Sequence, residues 1–185
     1  MLSKRTLIIG LLALALAATM AGSAQAAEKR DVNNALTLDI RGLFMKAVSL
    51  EYERKISGSV SLNVQALYQK YHLTPEEVDL TAMAGAVGAR MYLSKRALDG
   101  LYAGLYGVGA YVVSQEPSKV TATSFGASGV LGLKWISTGG IAIDVGYSLG
   151  VPIITKISAP DAGVDELAKF GKVGTGVTLA LGYAW

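Results

Sequence analysis

Val60-Ser-Leu-Asn-Val-Gln-Ala-Leu-Tyr-Gln69 sets Val60, Leu62, Val64, Ala66 and Tyr68 on alternate positions. Ser61, Asn63, Gln65 and Gln69 lie between them, with Leu67 as the single exception. Successive side chains of a strand point to opposite faces, so this stretch is a strand with one apolar and one polar face. The turn pair Ser57-Gly58 stands just before it and starts a hairpin with the segment upstream.

The same period continues in both directions. Upstream, Ala35 to Arg41 sets Leu36, Leu38 and Ile40 against Thr37, Asp39 and Arg41. Met45 to Arg54 sets Val48, Leu50 and Tyr52 against Ser49, Glu51 and Glu53. Downstream, Asp79 to Leu93 opposes Met83, Val87, Ala89, Met91 and Leu93 to Ala84, Ala86, Gly88 and Arg90. Leu101 to Val113 is strand-like but ambiguous in phase, because both faces are Gly, Ala, Tyr or aliphatic. Phe125 to Trp135 and Ile141 to Leu149 alternate again, with Lys134 and Asp144 on their polar sides. The last strand runs to the final residue, with Val177, Leu179, Leu181, Tyr183 and Trp185 on one face. Eight antiparallel strands of this kind predict an up-and-down β-barrel.

Hydropathy decides what surrounds the barrel. Half of the chain is apolar, 22 residues are Gly and only 17% are charged. Past residue 26 no apolar run is long enough for a membrane-crossing helix, which needs about 20 residues. High apolarity dispersed at every second position is the signature of a transmembrane barrel. The polar faces agree, being rich in Gly, Ala and Ser with a sparse charge set: Asp39, Arg41, Glu51, Glu53, Arg90, Lys134 and Asp144. A water-facing wall would carry many more Lys and Glu. An eight-stranded lumen has room only for side chains, and its buried charges must pair, so these seven are the expected luminal network.

The N-terminus reads as an export signal. Lys4 and Arg5 precede an apolar run from Leu7 to Ala18, and Ala24-Gln25-Ala26 offers an A-x-A cleavage site. Residues 1–26 are the expected signal peptide and 27–185 the barrel domain. Without Lys4 and Arg5, 15 basic residues face 14 acidic ones. That near-neutral balance gives no electrostatic reason for a nucleic-acid partner. The chain has no cysteine, which removes disulfides, thiolate metal sites and lipid-modified cysteine.

Connection lengths orient the barrel. Ser57-Gly58, Ser94 to Gly100 and Ser137 to Gly139 are short and belong with the termini on a periplasmic side. Tyr71 to Val78, Ser114 to Thr123 and Pro152 to Gly171 are the external links, with a short one near Gly42-Leu43-Phe44. Tyr92, Tyr102 and Trp135, with Tyr183 and Trp185, collect at predicted periplasmic strand ends and are expected at the lipid interface.

The ending Val177-Thr-Leu-Ala-Leu-Gly-Tyr-Ala-Trp185 resembles the C-terminal signature of outer-membrane barrels, an alternating strand ending on an aromatic. Val48-Ser-Leu-Glu-Tyr-Glu-Arg-Lys-Ile-Ser57, Gly88-Ala-Arg-Met-Tyr92 and Gly100-Leu-Tyr-Ala-Gly104 resemble segments recurring in small bacterial barrels. Together they resemble a bacterial family of unknown function among the OmpA-like and OmpW-like eight-stranded barrels. The resemblance implies the Gram-negative outer membrane, its lipid and lipopolysaccharide, and the barrel-assembly machinery as partner during biogenesis. It brings no catalytic residue set.

Candidate chemistry is thin. His72 is the only histidine, in Tyr71-His-Leu-Thr-Pro-Glu-Glu77 on a predicted external loop. It is the candidate general base of a lipid acyl hydrolase or acyltransferase, activating a nearby hydroxyl. The following Thr74-Pro75-Glu76-Glu77 reads more simply as a helix cap. Gly126-x-x-Gly129-x-x-Gly132 and Gly171-Lys-Val-Gly-Thr-Gly176 match no phosphate loop, so no cofactor is expected. Glu76, Glu77 and Asp79, with Asp161, Asp165 and Glu166, match no calcium-loop spacing. Val164 to Phe170 is a predicted turn or two of helix at the barrel mouth. The leading expectation is a non-enzymatic barrel with a structural, surface-interaction or small-solute role. The alternatives are a lipid-modifying enzyme using His72 and a soluble periplasmic ligand-binding barrel.

Overall fold

The computed structural model describes residues 31–42, 46–73, 78–94, 96–114, 121–158 and 174–185. Eight strands follow one another: β1 (Asn34–Asp39), β2 (Ala47–Lys55), β3 (Val60–Leu73), β4 (Val78–Tyr92), β5 (Gly100–Ser114), β6 (Thr121–Ile136), β7 (Ile141–Ser158) and β8 (Gly174–Ala184). Each pairs antiparallel with the next, and β8 returns to β1, so the sheet is a closed barrel. The closing register runs from Ala35 opposite Ala184 to Asp39 opposite Ala180. Closure leaves no free sheet edge along the paired lengths, the condition for a strand structure in lipid.

The strand faces settle the surroundings. Leu105, Leu131, Val87 and Leu62 stand outward and are between 49% and 76% exposed. Inside, Glu53, Ser61, Asn63, Lys134 and Asp144 have no exposure. The barrel is therefore apolar outside and polar inside, the inverse of a soluble calyx. The expectation of a soluble ligand-binding barrel fails here, because its apolar face would have to line the interior. β5 also acquires a phase: Leu101, Ala103 and Leu105 point out, and Tyr102, Gly104 and Tyr106 point in.

The barrel is uneven in height. At a rise of about 3.4 Å per residue and a tilt of about 40°, the 11 residues of β8 span about 28 Å along the axis. The 18 residues of β7 span about 47 Å on the same basis, so its last third stands above the lipid-spanning wall. β7 is longer than its sequence pattern implies. Pro152 lies inside it, and a register shift at Phe125/Gly126 pairs Ile154 with Phe125 and Pro152 with Gly126, which leaves Ile153 as the extra residue of a bulge. Pro has no N–H for the ladder and is tolerated at such a bulge. β3 likewise runs on to Leu73 and takes in His72, placed in a loop by the sequence pattern.

At the other end the start of β1 and the end of β8 meet the short connections. Asn33 and Asn34 donate to the Trp185 carbonyl. Gly140, with φ of 91°, makes the tight β6–β7 turn. The β4–β5 connection folds back under the barrel, where Leu98 adopts φ of 75° and is fully buried. Leu98 packs with Val32, Ala35, Ile136, Ala142 and Ala184 into an apolar cap across this end. A branched side chain at positive φ is strained, and this burial offsets the strain. The expected signal segment 1–26, Thr74–Glu77, Val164–Phe170 and residues 171–173 of the glycine stretch lie outside the described residues.

Candidate functional site

The lumen holds one buried polar cluster built from four strands. β2 contributes Glu51 and Glu53, β4 Arg90, β6 Lys134 and β7 Asp144. Lys134 and Asp144 are direct cross-strand partners, as are Arg90 and Ser61. Arg90 donates Nη1 to Glu53 at 3.0 Å and to Asp144 at 2.8 Å, and Nη2 to Glu51 at 2.6 Å. Lys134 Nζ reaches Glu51 at 3.3 Å, Asp144 at 3.2 Å, and also Glu53. Ser61 donates to Glu53 and Gln65 to Glu51. Two cations thus bridge three carboxylates across the full width of the lumen.

Tyrosines complete the cluster, and two of them correct the sequence reading. Tyr92 and Tyr102 are not interface residues: they face inward and are 2% and 3% exposed. Tyr92 donates its hydroxyl to Glu53 at 2.6 Å and Tyr102 to Asp144 at 2.7 Å. The Arg90 guanidinium lies 4.3 Å from the Tyr102 ring centroid, within cation–π range. Tyr106, singled out by nothing in the sequence pattern, accepts Arg90 Nε at 2.6 Å. The readable signal was parity: Tyr92 sits two residues after Arg90 and must share its face. Glycines make the space. A Cβ on Gly132 would stand 2.4 Å from the Tyr102 hydroxyl, and one on Gly88 2.6 Å from the Tyr106 ring.

The other predicted residues lie apart. Asp39 and Arg41 pair with each other near the far end of β1 and do not reach the cluster. Leu179, Leu181, Tyr183 and Trp185 point outward, Val177 is half-buried on the same face, and Tyr183 stacks on Trp185 at 6.5 Å and 13°. Tyr52 joins this aromatic group, 6.5 Å from Trp185. Trp135 is half-buried, its indole N–H without a partner among the described residues. The backbone of His72 pairs with Asp79 near the far end of β3 and β4; their side chains lie outside the described residues.

Two cavities flank the cluster. One, of about 230 Å³, fills the half of the lumen away from the termini, with Arg90 and Tyr106 on its floor and Ser49, Gln65, Ser128, Ser148 and Thr178 on its walls. The other, of about 280 Å³, lies at the termini end between Asp31, Lys55, Arg96 and Asp99. There Lys55 Nζ holds Asp31 at 2.6 Å, and that hydrogen bond and charge keep the Asp31 carboxyl below its ordinary value. Glu51, Glu53 and Asp144 offer oxygens within 4.8 Å of one another, as a metal site requires, but the Lys134 ammonium contacts all three.

No protein-family model and no curated protein matches the chain. Among solved structures the barrel is similar to Ail, the attachment invasion locus protein of Yersinia pestis, crystallised with the heparin analogue sucrose octasulfate. The likeness covers 84% of this chain and all of that one, with a TM-score of 0.51 and 11% identity. The shared feature is the fold: a small eight-stranded barrel of the outer-membrane type.

Proposed function

We propose that the protein is a non-enzymatic barrel of the bacterial outer membrane whose activity resides on its external rim. The side chains that fill the lumen support this reading. Among the described residues an apolar cluster crosses the termini end and the ionic cluster spans the middle, so side chains rather than an open channel occupy the lumen there. What remains for interaction is the raised wall formed by the far ends of β3 to β7. The termini end faces the periplasm, as in barrels with short periplasmic turns, and the aromatic group of Tyr52, Tyr183 and Trp185 marks that interface.

Ail bears a name for attachment and invasion and was crystallised with a heparin analogue. A surface-interaction role accords with that likeness, but a polyanion as ligand does not transfer. Across residues 40–47, 70–80, 114–121 and 155–173, seven Lys and Arg are matched by seven Asp and Glu. A balanced rim suits a mixed polar surface such as protein or lipopolysaccharide sugar better than a dense polyanion.

Fractionation with a gel of unheated against boiled protein tests location, since a closed barrel resists SDS when cold. Binding of intact cells to immobilised matrix proteins, with and without the gene, tests the role. Equal binding, together with an altered lipid A composition on deletion, would reject the surface role in favour of lipid modification.

A further inference from the structure

Two lysines stand side by side on the outward face of the barrel, where β2 meets β3 at the end away from the termini. The Lys70 N–H donates to the Lys46 carbonyl at 3.2 Å, one step beyond the Ala47–Gln69 pair of the ladder. Lys70 shares its face with Val64 and Tyr68, Lys46 shares its face with Val48, and both lysines are exposed. Directly opposed residues of an antiparallel pair have Cβ atoms about 5 Å apart, and like charges there repel.

Among the described residues no carboxylate relieves that repulsion. The ion pairs there use Arg41, Lys55, Arg90 and Lys134, and neither Lys46 nor Lys70 has an acidic partner. Lys46 is also held at φ of 51°, a conformation that Gly or Asn adopts more readily. Backbone strain and charge repulsion thus meet at one point of the wall. An anion seated between the two ammonium groups turns the repulsion into a binding site.

Depth identifies the anion. Lys70 lies ten residues beyond Val60, which at about 3.4 Å per residue and a tilt of about 40° is about 26 Å along the axis. The apolar band of an outer-membrane barrel is about 25 Å tall, so the two ammonium groups stand at the level of the outer-leaflet headgroups. Immediately below them Tyr68 is paired with Val48 on β2 and Met83 on β4, all three between 39% and 52% exposed. Thr81 opposes Lys70 from β4 and adds a half-buried hydroxyl on the same face. Two cations and a hydroxyl above an apolar strip fit a phosphate with hydrocarbon chains beneath it. The charge balance of the rim as a whole does not oppose this, because the pair faces the membrane side of the wall.

We propose that Lys46 and Lys70 together bind a phosphate group of an outer-leaflet lipid, whose chains lie along Val48, Tyr68 and Met83. The site rests on the outer-membrane location, which fractionation tests separately, and not on what the external rim binds.

The test is calorimetric titration of the full-length protein in uncharged detergent with three probes: diphosphoryl lipid A, the same lipid freed of both phosphates, and inorganic phosphate. Diphosphoryl lipid A binds about tenfold or more tightly than either of the others, and added salt weakens it. Lys70→Gln keeps most of the side-chain length, and Lys46→Asn suits the positive φ, so both variants keep the heat-dependent gel shift of a folded barrel. Each raises the dissociation constant for diphosphoryl lipid A by about tenfold. Equal affinity for the two lipids overturns the proposal, as do folded variants that bind like the parent. Inorganic phosphate binding as tightly as the lipid overturns it too, because the pair would then serve a soluble anion.

Discussion

Replacing Lys134 with Met tests whether the ionic cluster holds the barrel together. Lys134 has no exposure and contacts all three luminal carboxylates. At about 3.2 Å and an effective dielectric constant of about 20, each contact is worth about 5 kcal/mol of gross attraction. Most of that is cancelled by the desolvation of the ammonium and its repulsion by Arg90. What the variant exposes is the opposite side of the balance: three carboxylates left with Arg90 alone. Breaking a buried ion pair by removing one partner costs about 3–5 kcal/mol, and water entering from the outer cavity holds the expected value near 3 kcal/mol. Met fills a similar volume, so the loss measures charge and not a void.

Urea unfolding in phospholipid vesicles reads this loss directly. The double variant Lys134→Met/Glu53→Gln restores part of it, because the charge deficit falls by one, and a coupling of about 2 kcal/mol is expected between neighbours in one network. Lys134→Met also vacates the position common to the three carboxylates, which lie within 4.8 Å of one another. Its stability therefore gains a dependence on millimolar Ca2+ that the parent protein lacks. A Lys134→Met protein within about 1 kcal/mol of the parent, or strictly additive single variants, would refute a structural role for the cluster.

Val87, midway along β4 and 62% exposed, faces lipid; Val87→Arg costs about 2–4 kcal/mol in a bilayer and almost nothing if that face meets water. Gly132→Ala drives its methyl into the Tyr102 hydroxyl and costs about 1–3 kcal/mol by urea unfolding, with Tyr102→Phe in the same chain relieving part of it. His72→Ala is expected to leave lipid A composition unchanged by mass spectrometry; a lost acyl species would favour the lipid-modifying enzyme instead. The hydrogen bond and charge of Lys55 hold the folded-state Asp31 carboxyl below its ordinary value, so its contribution is complete above the unfolded value and fades as pH falls through the folded one. Asp31→Asn removes that small acid-side dependence, which a pH series of unfolding curves checks.

The barrel was legible because period-two alternation is a local property, present in Val60 to Gln69 without any knowledge of partners. The luminal charges were legible for the same reason, since Glu51, Glu53, Arg90, Lys134 and Asp144 each sit on the polar phase of a strand. Their grouping was not, because which strands lie opposite across a closed lumen depends on shear and tilt. Asp39 shares the phase of Glu51 yet ends up beyond reach, paired with Arg41. Tyr92 and Tyr102 were misplaced because a tyrosine near a strand end serves an interface or a lumen equally well. The inward glycines beside Tyr102, Gly132 and Gly146, carry the distinguishing information only once the register is known. β7 outran its pattern because Pro152 reads as a stop in sequence, whereas the bulge absorbs it.

The cluster also explains how so plain a wall keeps its register. Strands rich in Gly and Ala slip easily, and a slip by one residue turns every luminal side chain into lipid. β5, whose two faces were indistinguishable in sequence, is the strand most exposed to that error. It is pinned by Tyr102 on Asp144 of β7 and by Tyr106 under Arg90 of β4. A slipped β5 would leave Asp144 short of a donor and would turn the two rings out of the lumen. The ions therefore specify one alignment among several of similar apolar burial, at a cost in desolvation that a purely apolar lumen would avoid. Tyr102 and Tyr106 thus give β5 two inward anchors, on Asp144 and on Arg90, that its own Gly- and Ala-rich sequence does not supply.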